Sequence, residues 1–169
     1  MYDYHFPDSA FTAWVLVSQT WSAMYRVAEH QLARVGLTPE KTEVLRICTE
    51  YPSPLTPAEI SRLVFRQSQT VAGLLDRMEK EGLVTRVPKR KGRPFAEVKI
   101  TPKGEELVGP AKEKAMSFVA KLMSSLSAEE LEELQRLLRK IRQTALDELY
   151  IELSPAPGST ASDASGMKQ

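Results

Sequence analysis

The chain has 169 residues, 42% apolar and 27% charged, with 23 Lys and Arg against 22 Asp and Glu for a net charge of +1. This is the composition of a soluble globular chain with room for one domain and a helical extension, and it excludes a uniformly basic nucleic-acid coat. The single Cys excludes an internal disulfide, points to a cytoplasmic chain, and no apolar run approaches the ~18 residues of a membrane span.

Residues 8–35 read as one long helix. Phe11, Trp14, Ser18, Trp21, Tyr25, Ala28, Leu32 and Val35 recur three and four apart, an apolar seam broken once by Ser18. Its apolar run 10–17 has no basic residue before it and no small-residue cleavage site after it, so it is not read as a signal peptide. Gly36 suits the position past the helix end. Thr38-Pro39 restarts a helix whose buried face holds Val44, Leu45, Ile47 and Cys48, and Pro52 and Pro54 end it near Tyr51. Thr56 and Glu59 form a capping box for a short helix with Ile60, Leu63 and Val64. A turn at Arg66-Gln67 leads to a fourth helix, about 68–81, with Val71, Leu74, Leu75 and Met78 on one face and Gly82 at its close.

Residues 83–88 and 95–100 read as a β-hairpin with a basic tip, because Phe95, Glu97 and Lys99 alternate with Ala96, Val98 and Ile100. Thr101-Pro102 caps a fifth helix, which Pro110 is expected to interrupt and bend. Ser127 and Glu130 cap a sixth, with Leu131, Leu134, Leu138, Ile141 and Ala145 three and four apart. Residues 154–169, rich in Ser, Ala, Gly and Pro, read as a disordered tail.

Charge is unevenly spread. Residues 53–104 carry 11 Lys or Arg and 5 Asp or Glu, a balance of +6, while the flanks together carry −5. The densest stretch holds Arg86, Lys89, Arg90, Lys91 and Arg93. A positive centre in a near-neutral chain calls for an anionic partner. The order helix, helix, hairpin in that centre is that of a winged helix-turn-helix, whose second helix enters the DNA major groove. That helix begins with Gln67, Ser68, Gln69 and Thr70, whose amides and hydroxyls can meet base edges and phosphates, and its N-terminal amides favour phosphate. Arg77 on the same helix and Lys89, Arg90, Lys91 and Arg93 on the hairpin tip complete the candidate DNA-binding set.

The run 67–86, QSQTVAGLLDRMEKEGLVTR, resembles the recognition helix and wing entry of the MarR family. Residues 100–104, ITPKG, resemble its wing-to-helix junction, and LSAEELEELQRLL at 126–138 is similar to the start of its last helix. The resemblance covers about 8–150 and implies a mostly α fold with a small β-hairpin. It divides the chain into a winged domain at 38–101 and a helical dimerisation region at 8–35 and 102–153. It further implies a homodimer on a pseudo-palindromic DNA operator, released by a small aromatic ligand held between the two regions. Trp14, Trp21 and Tyr25 then read either as lining of that ligand site or as plain core and dimer seam. The wing departs from the family pattern. Lys91 stands where the family carries an Asp two residues before the wing Arg, and six residues rather than five separate Arg93 from Ile100. Arg93 lacks that orienting carboxylate, so Lys89, Arg90 and Lys91 are expected to grip phosphate.

Other classes find less support. No nucleophile–base spacing, glycine-rich phosphate loop or metal-ligand pair is present, so no enzyme, catalytic residue, cofactor or metal site is expected. Peroxide-sensing relatives keep their Cys in the first helix, whereas Cys48 lies in the second and reads as a small core residue. His5 and His30 are too far apart to suggest zinc. The competing reading is a winged-helix adapter that binds protein, which would not need the basic wing tip.

Overall fold

The computed structural model describes residues 6–51, 55–87 and 97–149. Six helices and one hairpin follow in the order α1 (Ser9–Leu32), α2 (Pro39–Glu50), α3 (Pro57–Leu63), α4 (Ser68–Lys80), β1 (Val84–Val87), β2 (Glu97–Ile100), α5 (Pro102–Met123) and α6 (Ala128–Glu148). The fold is thus mostly α with a two-stranded antiparallel hairpin, as the sequence predicts. The hairpin tip and the tail at 154–169 lie outside the described residues.

Local signals set most boundaries. Asp8 accepts from the Phe11 amide and caps α1. Thr38 accepts from Lys41 and caps α2. Thr56 with Glu59 and Ser127 with Glu130 form complete capping boxes on α3 and α6. The first helix is shorter than the expected 8–35, because its last three residues, Ala33–Val35, tighten into a 3₁₀ turn. Gly36 follows at φ 74°, where a side chain would meet its own backbone. Contrary to expectation, Pro110 does not interrupt α5. Its missing amide leaves the Glu106 carbonyl unpaired within the helix, but both residues are exposed, so water can satisfy that oxygen.

The core gathers where α2, α3, α4 and the hairpin meet α5. Leu45, Ile60, Leu75, Met78, Val44, Val71 and Val84 are almost wholly removed from water, each such side chain contributing roughly 1.5–3 kcal/mol. Cys48 is packed against this cluster, and burial pushes its thiol up to about 11. The reactive thiolate is correspondingly suppressed at neutral pH. One pairing had no sequence signal: Leu55 bridges Val98, whose amide donates to the Leu55 carbonyl at 2.7 Å.

The seam of α1 divides in two. Ala28, Leu32 and Val35 pack on the core, whereas Phe11, Trp14 and Trp21 stay exposed, as do Leu16 and Val17 beside the seam. On α6, Leu137, Leu138 and Ile141 are likewise exposed, and that helix makes no extensive contact with any other described element.

The hairpin meets α5 at a tight junction. Thr101 accepts from the Gly104 amide and donates to the Gly82 carbonyl at 2.6 Å, so one hydroxyl caps α5 and ties it to the end of α4. A Cβ on Gly104 would sit 2.3 Å from the Leu83 carbonyl oxygen and 2.8 Å from Ile100 Cγ1. Gly104→Ala should therefore cost about 1–3 kcal/mol in denaturant unfolding, since backbone must move to admit the methyl group. A loss under about 0.5 kcal/mol would show that the junction gives easily. Phe65, in the turn between α3 and α4, adopts φ 51°, a left-handed conformation unusual for a bulky residue. Phe65→Gly should be more stable than Phe65→Ala by about 1 kcal/mol, because only Gly relieves that conformation. Equal stabilities would place no strain there.

Candidate nucleic-acid interface

The second helix of the helix-turn-helix is α4, and its apolar spacing decides which residues it shows to solvent. Val71, Leu74, Leu75 and Met78, spaced i, i+3, i+4, i+7, are its buried residues. The opposite face carries Gln69, Gly73, Asp76 and Lys80. One flank of that face is occupied by the hairpin. The Arg86 guanidinium donates to Asp76 at 2.6 Å and to the Ala72 carbonyl at 3.2 Å, and its backbone amide donates to Glu79 at 2.8 Å. Arg86 belongs to the basic stretch of the sequence, yet its charge is engaged within the chain at the surface, clamping β1 to α4.

The other flank is open. Thr70, Gly73 and Arg77 lie along it with Gln69 at its edge, all on one side of the helix by their spacing. The Arg77 guanidinium lies close to where a Cβ on Gly73 would stand, at 3.8 Å. Gly73 was not among the sequence candidates. Its signal was a glycine in the middle of a regular helix, a position that is costly unless something must come close to the backbone.

The start of α4 is bare. Gln67 is the N-cap residue but its side chain makes no capping bond, and no acidic residue lies in the first turn. The first amides of the helix thus remain open to an anionic group. Ser68 sits 3.4 Å from the Ser61 hydroxyl, which donates to the Arg66 carbonyl and holds the turn in place. Of the expected set, the structure brings Gln67, Ser68, Gln69, Thr70 and Arg77 onto one exposed helix. Lys89, Arg90, Lys91 and Arg93 lie outside the described residues.

A second feature lies beside the turn that precedes this helix. A cavity of about 260 Å³ opens between α1, the start of α2, α5 and the turn before α4. Trp21, Tyr25, Phe118, Glu40, Glu43 and Arg66 are among its walls. Trp14 is not; it lies two turns earlier on α1, is 67% exposed and belongs to the unburied seam. Tyr25 donates to Glu40, and Arg66 lies 3.6 Å from the same carboxylate. Burial opposes ionisation of Glu40, but hydrogen bonds from Tyr25, its own backbone and Thr38, with the charge of Arg66, outweigh it and hold the carboxyl below its usual range. Burial and the Glu40 carboxylate push the Tyr25 hydroxyl up to about 12. Burial raises Glu43, against the opposing charges of Arg46 and Arg66. Among the described residues no helix is long and apolar enough to cross a membrane.

Residues 35–93, which hold α2, α3, α4 and β1, match the model of the MarR family. The whole fold is similar to that of several solved regulators. The MarR-family transcriptional regulator from Rhodococcus sp. RHA1 superimposes with a TM-score of 0.70 at 18% identity, over 80% of this chain and 96% of that one. The organohalide-sensing regulator RdhR, solved in its 2,4-dichlorophenol-bound form, gives 0.76 at 22% identity, over 86% and 90%. S. aureus MepR, solved in complex with DNA, gives 0.72 at 23% identity, over 78% and 96%. The helix-turn-helix segment is thus matched by the model of the MarR family, and the chain shares the winged helix-turn-helix fold of these solved regulators.

Proposed function

We propose that the protein is a homodimer that binds a pseudo-palindromic DNA operator, reading bases through α4 and gripping phosphates through the wing. The observation that carries this reading is the open flank of α4. Gln69, Thr70 and Arg77 stand there over Gly73, free of the acidic contacts that occupy the other flank. An amide, a hydroxyl and a guanidinium are the groups that recognise base edges, and the bare helix start adds amides for phosphate. The DNA complex of the similarly folded MepR supports the assignment of the class.

The dimer rests on exposed apolar surface. Phe11, Trp14, Leu16 and Val17 on α1, Met116 and Val119 on α5, and Leu137, Leu138 and Ile141 on α6 all face water in the single chain. Monomers rarely leave so much large apolar side-chain surface uncovered, and a second copy offers the same surfaces in return. The domain division follows: the winged domain at 38–101 contacts DNA, and the helices at 8–35 and 102–153 pair the two chains. An effector is assigned to the cavity beside Trp21 and Tyr25, between these two regions, where it can alter their mutual setting. The 2,4-dichlorophenol-bound form of the similarly folded RdhR supports a small aromatic occupant.

Replacing Gln69 or Thr70 by Ala should cost ~1–3 kcal/mol on the preferred duplex and much less on a scrambled one. Replacing Lys89, Arg90 or Lys91 should weaken both duplexes alike and lower the salt slope by about one unit per lost contact. Salt titrations of each variant on both duplexes check this, and equal losses on both duplexes for the Gln69 and Thr70 variants would remove the base-reading role. Sedimentation of the full chain should give twice the chain mass, and Leu138→Glu with Ile141→Glu should shift it toward monomer. A monomeric wild-type chain at micromolar concentration contradicts the dimer.

A further inference from the structure

The cavity between α1, α2 and α5 has a chemistry more specific than a place for something aromatic. We propose that it selects an aromatic ligand bearing a cation, an arylalkylammonium or amidinium, over neutral and anionic analogues of the same size. The inference rests on the effector reading above and adds the charge of the ligand to it.

Three observations carry it. The walls hold two carboxylates, Glu40 and Glu43, against one guanidinium, Arg66. Within a mostly apolar cavity a carboxylate ligand would meet an excess of like charge, and a cation would meet its complement. Second, the partners differ in freedom. Glu40 is only 25% exposed and is held by the Tyr25 hydroxyl, whereas Arg66 is 41% exposed and stands 3.6 Å away, beyond a good hydrogen bond. A pair with one exposed partner at that distance is weak. Arg66 can swing into solvent while the carboxylate stays, so an incoming ammonium takes the place of the guanidinium. Glu40 also remains ionised despite its burial, ready for that exchange. Third, the apolar walls are aromatic. Trp21 and Tyr25 have ring centroids 6.0 Å apart with planes tilted by 50°, and Phe118 closes the side formed by α5. Such faces attract a cation as well as the ring that bears it.

The test uses the full chain and three probes that share one ring system: 1-naphthylmethylammonium, 1-naphthylmethanol and 1-naphthoate. Binding is followed by the indole N–H signals of the chain's two Trp residues, because Trp21 lines the cavity and Trp14 does not. The ammonium should shift the Trp21 signal at concentrations at least tenfold below those needed for the carboxylate, and below those for the alcohol. Glu43→Gln should weaken the ammonium several-fold and leave the alcohol unchanged. Arg66→Gln, which removes the competitor for Glu40, should tighten the ammonium. If the alcohol or the carboxylate shifts Trp21 at equal or lower concentration than the ammonium, the charge selection is overturned and the cavity stands as an aromatic site. If none of the three shifts Trp21, the cavity is not the effector site and the reading beneath the proposal falls with it.

Discussion

The inward face of α4 fixes everything its outward face can do. Val71, Leu74, Leu75 and Met78 lock one side of the helix into the core, and a helix so anchored cannot rotate without drawing apolar surface into water at roughly 25 cal/mol per Å². The direction in which Gln69, Thr70, Gly73 and Arg77 point is therefore set by packing rather than by their own contacts. Arg86 removes the remaining freedom on one side by tying β1 to Asp76, Glu79 and the Ala72 carbonyl. The same clamp offsets part of the negative charge on that flank of the helix, which would otherwise repel phosphate. A cation that belongs to the basic stretch by sequence is thus engaged in positioning the hairpin against α4.

The entry to α4 is less firmly held than its body. Phe65 carries a left-handed backbone, and Gln67 gives no side-chain cap. What steadies the turn comes from outside the helix: Ser61 donates to the Arg66 carbonyl, and the Arg66 side chain reaches Glu40, which Tyr25 holds in turn. These contacts run from α1 through the start of α2 to the residue before the α4 cap, and the cavity opens onto the same side chains. A ligand that changes the partner of Glu40 acts one residue away from the cap of the recognition helix. In the proposed function, a ligand in the cavity and DNA on α4 would both make contacts that depend on this one turn, the physical requirement for coupling between sites.

What the sequence reveals depends on the range of each interaction. Caps at Thr38, Thr56, Thr101 and Ser127 are legible because donor and acceptor lie three residues apart. The buried stripe of α4 is legible because the helix repeat alone places it. The Arg86 clamp is not, since it exists only once the hairpin folds back on α4, and a cation in a basic run looks free. The Leu55–Val98 pairing joins residues far apart in the chain and has no local signature. Trp14 and Trp21 occupy the same seam by spacing and both are exposed, and only the crossing of α5 makes Trp21 the wall of a cavity. Phe65 could not be anticipated either, because a left-handed turn is expected at Gly or Asn. Pro110 reads as an interruption only while the solvent exposure of the freed carbonyl is unknown.

In the proposed dimer, two copies of α4 read successive major grooves. Hydroxyl-radical footprinting of a DNA site selected from random sequence measures this directly. The account predicts two symmetric protected patches centred about one helical turn apart, roughly 10–10.5 base pairs, with further protection where the wings reach the flanking backbone. A single protected patch, or none on any selected sequence, would contradict it.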